Sequence, residues 1–172
     1  MGKSESQHSG QRRESRWIPP EAGQRKMNVD GALNEHRRVW DGALIQNEQG
    51  QVVAAMACKG NGFLPAVVVE AYSLRKVLGW MAELGCGGVE VVCDAACVVS
   101  GVSATDRSGL SELEMNFENC RILLSSLEEC SLWHVRIEGD SVAHELAKRA
   151  LTNDDGEYWV EKKLCQVILC NL

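Results

Sequence analysis

The sequence predicts an α/β domain in which a mixed five-stranded sheet, three antiparallel strands followed by parallel additions, is flanked by helices. Three strand-like runs come first, at residues 24–32, 39–47 and 51–59. Beyond residue 65, helical and strand-like patterns alternate. The run from Val89 to Cys93 is short, apolar at every position except Glu90 and bounded by turn signals, which is typical of a strand buried on both faces.

The first three strands predict an antiparallel meander. In the first run, Met27 and Val29 lie on one face while Asn28 and Asp30 lie on the other, because successive side chains of a strand alternate. The next two runs are joined by a short turn that contains Gly50, where a positive φ is easiest. Asp30 is therefore expected on a strand, with a polar neighbour on its face.

The elements after the meander follow from apolar periodicity and turn signals. Together they give the order βββαβαβα, with one additional helix. Expected are a helix at 65–84, the strand at 89–93, a short helix at 95–101, a helix at 111–127, a strand at 132–137 and a helix at 141–151.

The two ends of the chain differ in composition from the middle. Residues 1–16 are polar and rich in Ser, Gln and Arg, which predicts a disordered leader. The folded domain is expected to span residues 17–152, and residues 153–172 are expected to form a C-terminal helical extension. Its amphipathic part, residues 158–169, is expected to pack either on the domain itself or on a protein partner.

Composition and charge limit the classes of function. Apolar residues make up 45% and charged residues 24% of the chain, as in globular proteins, and its apolar runs are far shorter than a membrane span requires. The first residues lack the apolar core of a secretory signal, so an intracellular location, nuclear or cytoplasmic, is expected. A net charge of −6 argues against strong nonspecific attraction to a polyanion. A monomer is expected.

The eight cysteines are scattered through strand-like and helix-like segments. The two closest pairs, Cys93 with Cys97 and Cys165 with Cys170, do not have the spacing of paired zinc ligands. Free buried thiols are therefore expected rather than a disulfide scaffold or a structural zinc site.

Three acidic residues stand where burial would otherwise exclude them. Asp30 lies within a strand, Glu70 lies in the first half of a helix behind an apolar run, and Asp94 directly follows a buried strand. An unpaired carboxylate in such a place is costly. A hard divalent cation such as Mg²⁺ removes that cost, since it prefers oxygen ligands and also bridges to phosphates. These residues therefore predict a metal site.

Four motifs in one order resemble a known family. The domain opens with WIPPEAGQRKMNVDGA, and the first helix reads VVVEAYSLRKVLGWMAELG. Downstream come VEVVCDAACVVSGV and WHVRIEGDSVAHELAKRA. All four are similar to segments of the plant RNase H-like domains found in retroelement-derived proteins, which are associated with reverse transcriptases. The resemblance covers nearly all of residues 17–152 and implies the ribonuclease H-like fold.

The resemblance also implies an activity, a metal requirement and a substrate. It implies an endonuclease that cuts the RNA strand of an RNA–DNA hybrid with two Mg²⁺ or Mn²⁺ ions, one activating water and the other stabilising the departing 3′ oxygen. Asp30 would bridge both ions, and Glu70 and Asp94 would complete their ligands.

The fourth acidic position of active ribonucleases H is occupied here by His144, within Asp140–His144. Histidine is usual there in the plant group. Neutral imidazole is a poorer ligand than carboxylate for Mg²⁺ and a better one for Mn²⁺ or Zn²⁺. His144 is therefore predicted to be an auxiliary catalytic group, and a surface histidine without metal contact is the alternative. His134, on the predicted fifth strand, is expected to be structural.

A catalytically weak or inactive domain that binds nucleic acid or protein is the competing hypothesis. It is favoured by the net charge, by His144 and by the replacement of the family's Gly-rich second strand with Val39–Gly42. No basic protrusion that could grip a substrate is visible between residues 95 and 130.

Overall fold

The computed structural model describes residues 10–11, 18–33, 39–59, 64–105, 111–136 and 157–160. Within these ranges, seven strands form one sheet and three helices accompany it. The strands are β1 (Gly10–Gln11), β2 (Arg25–Leu33), β3 (Val39–Gln46), β4 (Val52–Lys59), β5 (Val89–Cys93), β6 (Ser131–His134) and β7 (Glu157–Val160). The helices are α1 (Ala66–Glu83), α2 (Ala96–Ser103) and α3 (Glu112–Ser126).

The predicted fold class is confirmed in the five central strands. The sheet order is β1-β6-β5-β2-β3-β4-β7. Strands β2, β3 and β4 pair antiparallel as a meander, while β5 pairs parallel with both β2 and β6. This mixed arrangement brings the carboxyl ends of β2 and β5 to the same edge of the sheet.

Each side of the sheet ends in a short strand that the sequence did not predict. Gly10 and Gln11 fall in the expected disordered leader, yet they pair parallel with β6. Residues Glu157–Val160 fall in the expected helical extension, yet they pair antiparallel with β4. The helix expected over this region is therefore wrong at these residues, because backbone hydrogen bonding to the open edge of β4 prevails over the local pattern.

The main core lies between the sheet and α1. Alternate side chains of the strands, such as Val29, Ala43 and Val91, are fully buried in one cluster with Leu74 and Leu78 of that helix. Strand β5 is buried at all five positions, as its largely apolar run predicts, and the one charged residue among them, Glu90, pairs with Lys26 of β2. Helix α3 begins with Ser111 as its N-cap, whose side chain accepts from the Glu114 N–H at 3.2 Å.

The six cysteines within the described ranges form no disulfide, as expected. Five of them are buried, and Cys97 is exposed. The expected helix at 141–151 lies outside the described residues, as do Cys165 and Cys170. In the part of the chain that the structure describes, no helix combines the length and apolar character needed to cross a bilayer.

Candidate metal centre

Asp30 and Asp94 lie side by side at one edge of the sheet. Strands β2 and β5 run parallel, and Val29 and Cys93 form the last pair in their register. Asp30 directly follows Val29 in the sequence, and Asp94 directly follows Cys93. Both acids therefore come immediately after the same pair of neighbouring strand residues. Asp30 is only 4% exposed, and Asp94 is half-buried in the bend that ends β5.

Glu70 reaches this edge from α1, and a glycine makes its approach possible. The Gly31 N–H donates to Glu70 Oε2 at 3.2 Å. A Cβ added to Gly31 would lie 3.3 Å from the same oxygen and 2.7 Å from Ser73 Oγ. Because this position in β2 has no side chain, α1 lies close enough for Glu70 to bond directly to the backbone beside Asp30.

A thiol joins the carboxylates. The ligand atoms of Glu70, Cys93 and Asp94 all lie within 4.8 Å of one another. Cys93 is fully buried and is the final residue of β5. The sequence predicts Cys93 only as a buried thiol, since the position of its sulfur among the donors depends on the docking of α1 against the sheet.

The clustering of acids perturbs the protonation of Glu70. Burial, together with the negative charges of Asp30 and Asp94, raises the pKa of Glu70 to about 8. The hydrogen bond from Gly31 opposes this rise in pKa, whereas the charge of Asp41 adds to it. Asp30 and Asp94 therefore both lie within electrostatic reach of Glu70.

His134 supports the backbone at Asp94. Its Nε2 lies 3.1 Å from the Asp94 carbonyl oxygen, to which it donates in the tautomer that carries the proton on Nε2. In addition, the Val135 N–H donates to the Cys93 carbonyl oxygen at 3.0 Å. The end of β5 is thus tied to β6 and the residue after it by one side chain and one backbone group, in accord with a structural role for His134.

Sequence reasoning missed a further buried acid close to the site. Asp41 is fully buried on β3, where it accepts from the Ser73 hydroxyl and, at 3.0 Å, from Lys76 Nζ. The signal is an aspartate among the apolar residues of β3, on the same face as Ala43 and Ile45. From the sequence, this residue stands out only as a departure from the family's glycine-rich strand.

The donor set suits a divalent cation. The carboxylate oxygens of Glu70 and Asp94 lie within this group of donors, Asp30 lies beside it at the same edge, and carboxylate oxygen is the ligand type that Mg²⁺ and Mn²⁺ prefer. A cation would also relieve the repulsion that raises the pKa of Glu70. His144, the predicted fourth group, lies outside the described residues.

The fold is shared with solved ribonucleases H. RNase H1 from the halophilic archaeon Halobacterium salinarum is similar with a TM-score of 0.67 and 22% identity, over 76% of this chain and 98% of that one. The N-terminal RNase H domain of a Mycobacterium tuberculosis protein gives a TM-score of 0.65 and 20% identity, over 75% and 94%.

A third similar structure contains nucleic acid. It is an RNase H1, named LC11, in complex with an RNA/DNA hybrid, with a TM-score of 0.65 and 18% identity over 75% of this chain and 97% of that one. At these identities the three structures establish a common fold. No curated protein sequence matches the chain.

The family follows from the sequence match. The family described as reverse transcriptase-like matches residues 28–150, a range that includes the predicted site residues from Asp30 to His144. This match covers most of the chain, and its central elements are those of the RNase H fold. The chain therefore belongs to the reverse transcriptase-like family and contains an RNase H-like domain.

Proposed function

We propose that this domain is a metal-dependent endonuclease that cleaves the RNA strand of RNA–DNA hybrids. The observation that carries the proposal is the convergence of Glu70 and Asp94 donor atoms within 4.8 Å at the edge where Asp30 also lies. Similar structures include an RNase H1 in complex with an RNA/DNA hybrid, which supports the choice of substrate.

In this proposal Asp30, Glu70 and Asp94 hold two Mg²⁺ or Mn²⁺ ions. When bound, such ions supply charge stabilisation and a nucleophile for phosphodiester hydrolysis. The chain itself contributes orientation: the Gly31 N–H fixes one oxygen of Glu70, and His134 fixes the backbone at Asp94. His144 would act as an auxiliary group at the same site.

The origin, location and assembly of the chain belong to the same proposal. The four motifs support descent from a plant retroelement, and an intracellular location, nuclear or cytoplasmic, is proposed with it. The chain is proposed to act as a monomer. Docking of a protein partner is proposed for the C-terminal segment predicted from the sequence, residues 158–169, although Glu157–Val160 form a strand and the remainder lies outside the described residues.

The test is hybrid cleavage by the purified full chain with Mg²⁺ and separately with Mn²⁺. The substrate is an RNA–DNA hybrid labelled on the RNA, and duplex DNA and duplex RNA are the controls. Metal-dependent cuts in the RNA of the hybrid, lost in Asp30→Asn, would support the proposal. Cleavage that persists in Asp30→Asn would assign the activity to a contaminant or to another site.

A second candidate, a weak or inactive domain that binds nucleic acid or protein, is favoured by one observation. Helices α2 and α3 together contain one basic residue, Arg121, and its guanidinium group already forms contacts within the protein. It pairs with Glu118 at 2.8 Å and Glu114 at 3.3 Å and donates to the Gly101 carbonyl oxygen at 2.6 Å. Arg121 is thus poorly placed to grip a phosphate backbone.

The same samples separate the two candidates. If the wild type retains the hybrid in a mobility shift with Mg²⁺ but yields no product with either metal, the binding function is supported. If Asp30→Asn also abolishes that retention, a cation-bridged contact at the carboxylates is responsible. If neither binding nor cleavage is found, both nucleic-acid functions are excluded and association with a protein remains.

A further inference from the structure

The Asp41 network, defined as Asp41, Ser73 and Lys76, joins β3 to α1 beside the carboxylate site. The Ser73 hydroxyl donates to Asp41 Oδ1, and Lys76 Nζ donates to Asp41 Oδ2 at 3.0 Å. The side chain of Asp41 is fully buried, whereas that of Lys76 is 26% exposed. Both carboxylate oxygens of Asp41 are therefore used within the protein.

An aspartate at this position is costly for a purely structural role. Asp41 shares its face of β3 with Ala43 and Ile45, which pack into the core. Burying a carboxylate requires both a countercharge and hydrogen bonds, and apolar residues of similar volume often serve stability equally well or better. Stabilising the contact between α1 and the sheet is therefore not a sufficient reason for an aspartate at this position.

These contacts belong to a continuous series that links α1, β3 and β2 and includes Glu70, the candidate metal ligand. Ser73 lies three residues after Glu70, so the two side chains stand on one face of α1. Ser73 bonds to Asp41, Asp41 is the register partner of Gly31, and the Gly31 N–H donates to Glu70 Oε2. Sliding α1 along the sheet would break the Ser73 bond and the Gly31 bond together.

We propose that Asp41 and Ser73 are positioning residues for Glu70. They set the register of α1 over β2 so that the Glu70 carboxylate stays bonded to Gly31 and near the Asp94 carboxylate. Lys76 balances the charge of Asp41 and so limits the repulsion that a further acid adds to the site. This inference rests on the proposed function, because Glu70 matters there as a metal ligand.

The direct test follows the Gly31 amide by NMR in the metal-free full chain. In Ser73→Ala, we expect this amide to exchange with solvent about tenfold faster than in the wild type, roughly the effect of losing one hydrogen bond. Glu70→Gln serves as a reference, because it alters the side chain that accepts the Gly31 hydrogen bond and so shows how the Gly31 resonance responds to such a change. Leu124→Ala is the control, since it removes a buried side chain of α3 away from the network.

Two substitutions of Asp41 separate positioning from packing. Asp41→Asn keeps an acceptor for Ser73 and is expected to keep the wild-type Gly31 resonance and exchange. Asp41→Leu fills the space without an acceptor and is expected to behave as Ser73→Ala does. A Gly31 amide that is unchanged in both Ser73→Ala and Asp41→Leu, or equally perturbed in Leu124→Ala, would overturn the positioning role.

Binding of Mn²⁺, measured by calorimetry, tests the link to the metal site. We expect Ser73→Ala and Asp41→Leu to weaken Mn²⁺ binding about tenfold, in proportion to their effect on Gly31, and Leu124→Ala to leave it unchanged. Absence of Mn²⁺ binding in the wild type would remove the proposed nuclease function. The NMR comparison would still decide whether Asp41 and Ser73 position Glu70.

Discussion

Gly31 and Ser73 approach each other so closely that a single methyl group on Gly31 would lie 2.7 Å from Ser73 Oγ. We expect Gly31→Ala to lower the free energy of unfolding by about 1 to 3 kcal/mol, because α1 must move away from β2. Removing the hydroxyl relieves the overlap, so Gly31→Ala combined with Ser73→Ala should recover part of this loss. Urea denaturation of the wild type, both single variants and the double variant measures the coupling, and purely additive losses would contradict the close approach.

Glu70 makes the stability of the metal-free protein depend on pH. Its pKa in the folded state is raised to about 8 by burial and by the charges of Asp30 and Asp94, so the folded protein binds a proton more tightly than the unfolded chain does. The resulting stabilisation is complete below the unfolded pKa of 4.5 and is lost as the pH rises to about 8. We expect a loss of roughly 4 to 5 kcal/mol over this range, since a tenfold difference in proton affinity between the folded and unfolded states corresponds to about 1.4 kcal/mol.

Unfolding by urea in the presence of a chelator, from pH 5 to pH 8, measures this dependence. Glu70→Gln carries no titrating group at this position, so its stability should fall less than that of the wild type as the pH rises. Added Mg²⁺ should stabilise the wild type more at pH 8 than at pH 5. Parallel pH profiles for the wild type and Glu70→Gln would contradict the raised pKa.

Cys93 should give the site an affinity for thiophilic metals. Its sulfur lies within 4.8 Å of ligand oxygens of Glu70 and Asp94, and Cd²⁺ and Zn²⁺ bind sulfur far better than Mg²⁺ does. We expect Cd²⁺ to produce the ultraviolet absorption of a cadmium–sulfur bond in the wild type. Cys93→Ser should weaken Cd²⁺ binding about tenfold or more while changing Mg²⁺ binding little. Cys97→Ser, which removes an exposed thiol, is the matched control.

Two helical glycines should respond to alanine in opposite directions. A Cβ on Gly101 of α2 would overlap the ring of Phe117 on α3, whereas a Cβ on Gly79 of α1 meets nothing within 4 Å. We expect Gly101→Ala to lower the free energy of unfolding by about 2 kcal/mol or more. Gly79→Ala should raise it by about 0.5 to 1 kcal/mol through its better helix propensity. Thermal or urea unfolding checks both, and a tolerated alanine at 101 would contradict the packing of α2 on α3.

Apolar periodicity is sufficient to predict most of the architecture. Helix α1 runs from Ala66 to Glu83, within the predicted 65–84, and β5 spans Val89–Cys93 as expected. Long periodic segments and fully buried strands carry a strong local signal. The strand at Glu157–Val160 carries a weak one, because four residues do not distinguish a strand from a turn of helix, and its structure depends on pairing with distant β4.

The sequence predicts the candidate site only as a set of acidic residues at positions where burial is expected. Asp30, Glu70 and Asp94 stand out because acids at buried positions are rare. Cys93 carries no signal of its own beyond that of a buried thiol, and Asp41, although it is an acid among apolar strand residues, has no sequence feature that links it to the other three acids. Their roles follow from the pairing of Gly31 with Asp41 and from the approach of α1 to β2, which are relationships between distant segments.

The pairing of β4 with β7 limits how far the protein can be truncated from its C-terminal side. Four residues near the C-terminus, Glu157–Val160, cover the backbone of Ala54 to Ala57 in β4. A truncated protein that stops at residue 152 would leave this hydrophobic strand with unsatisfied N–H and C=O groups, a template for adding a strand from another molecule. Such a truncation should self-associate in light scattering, and a well-behaved domain should extend at least to Val160.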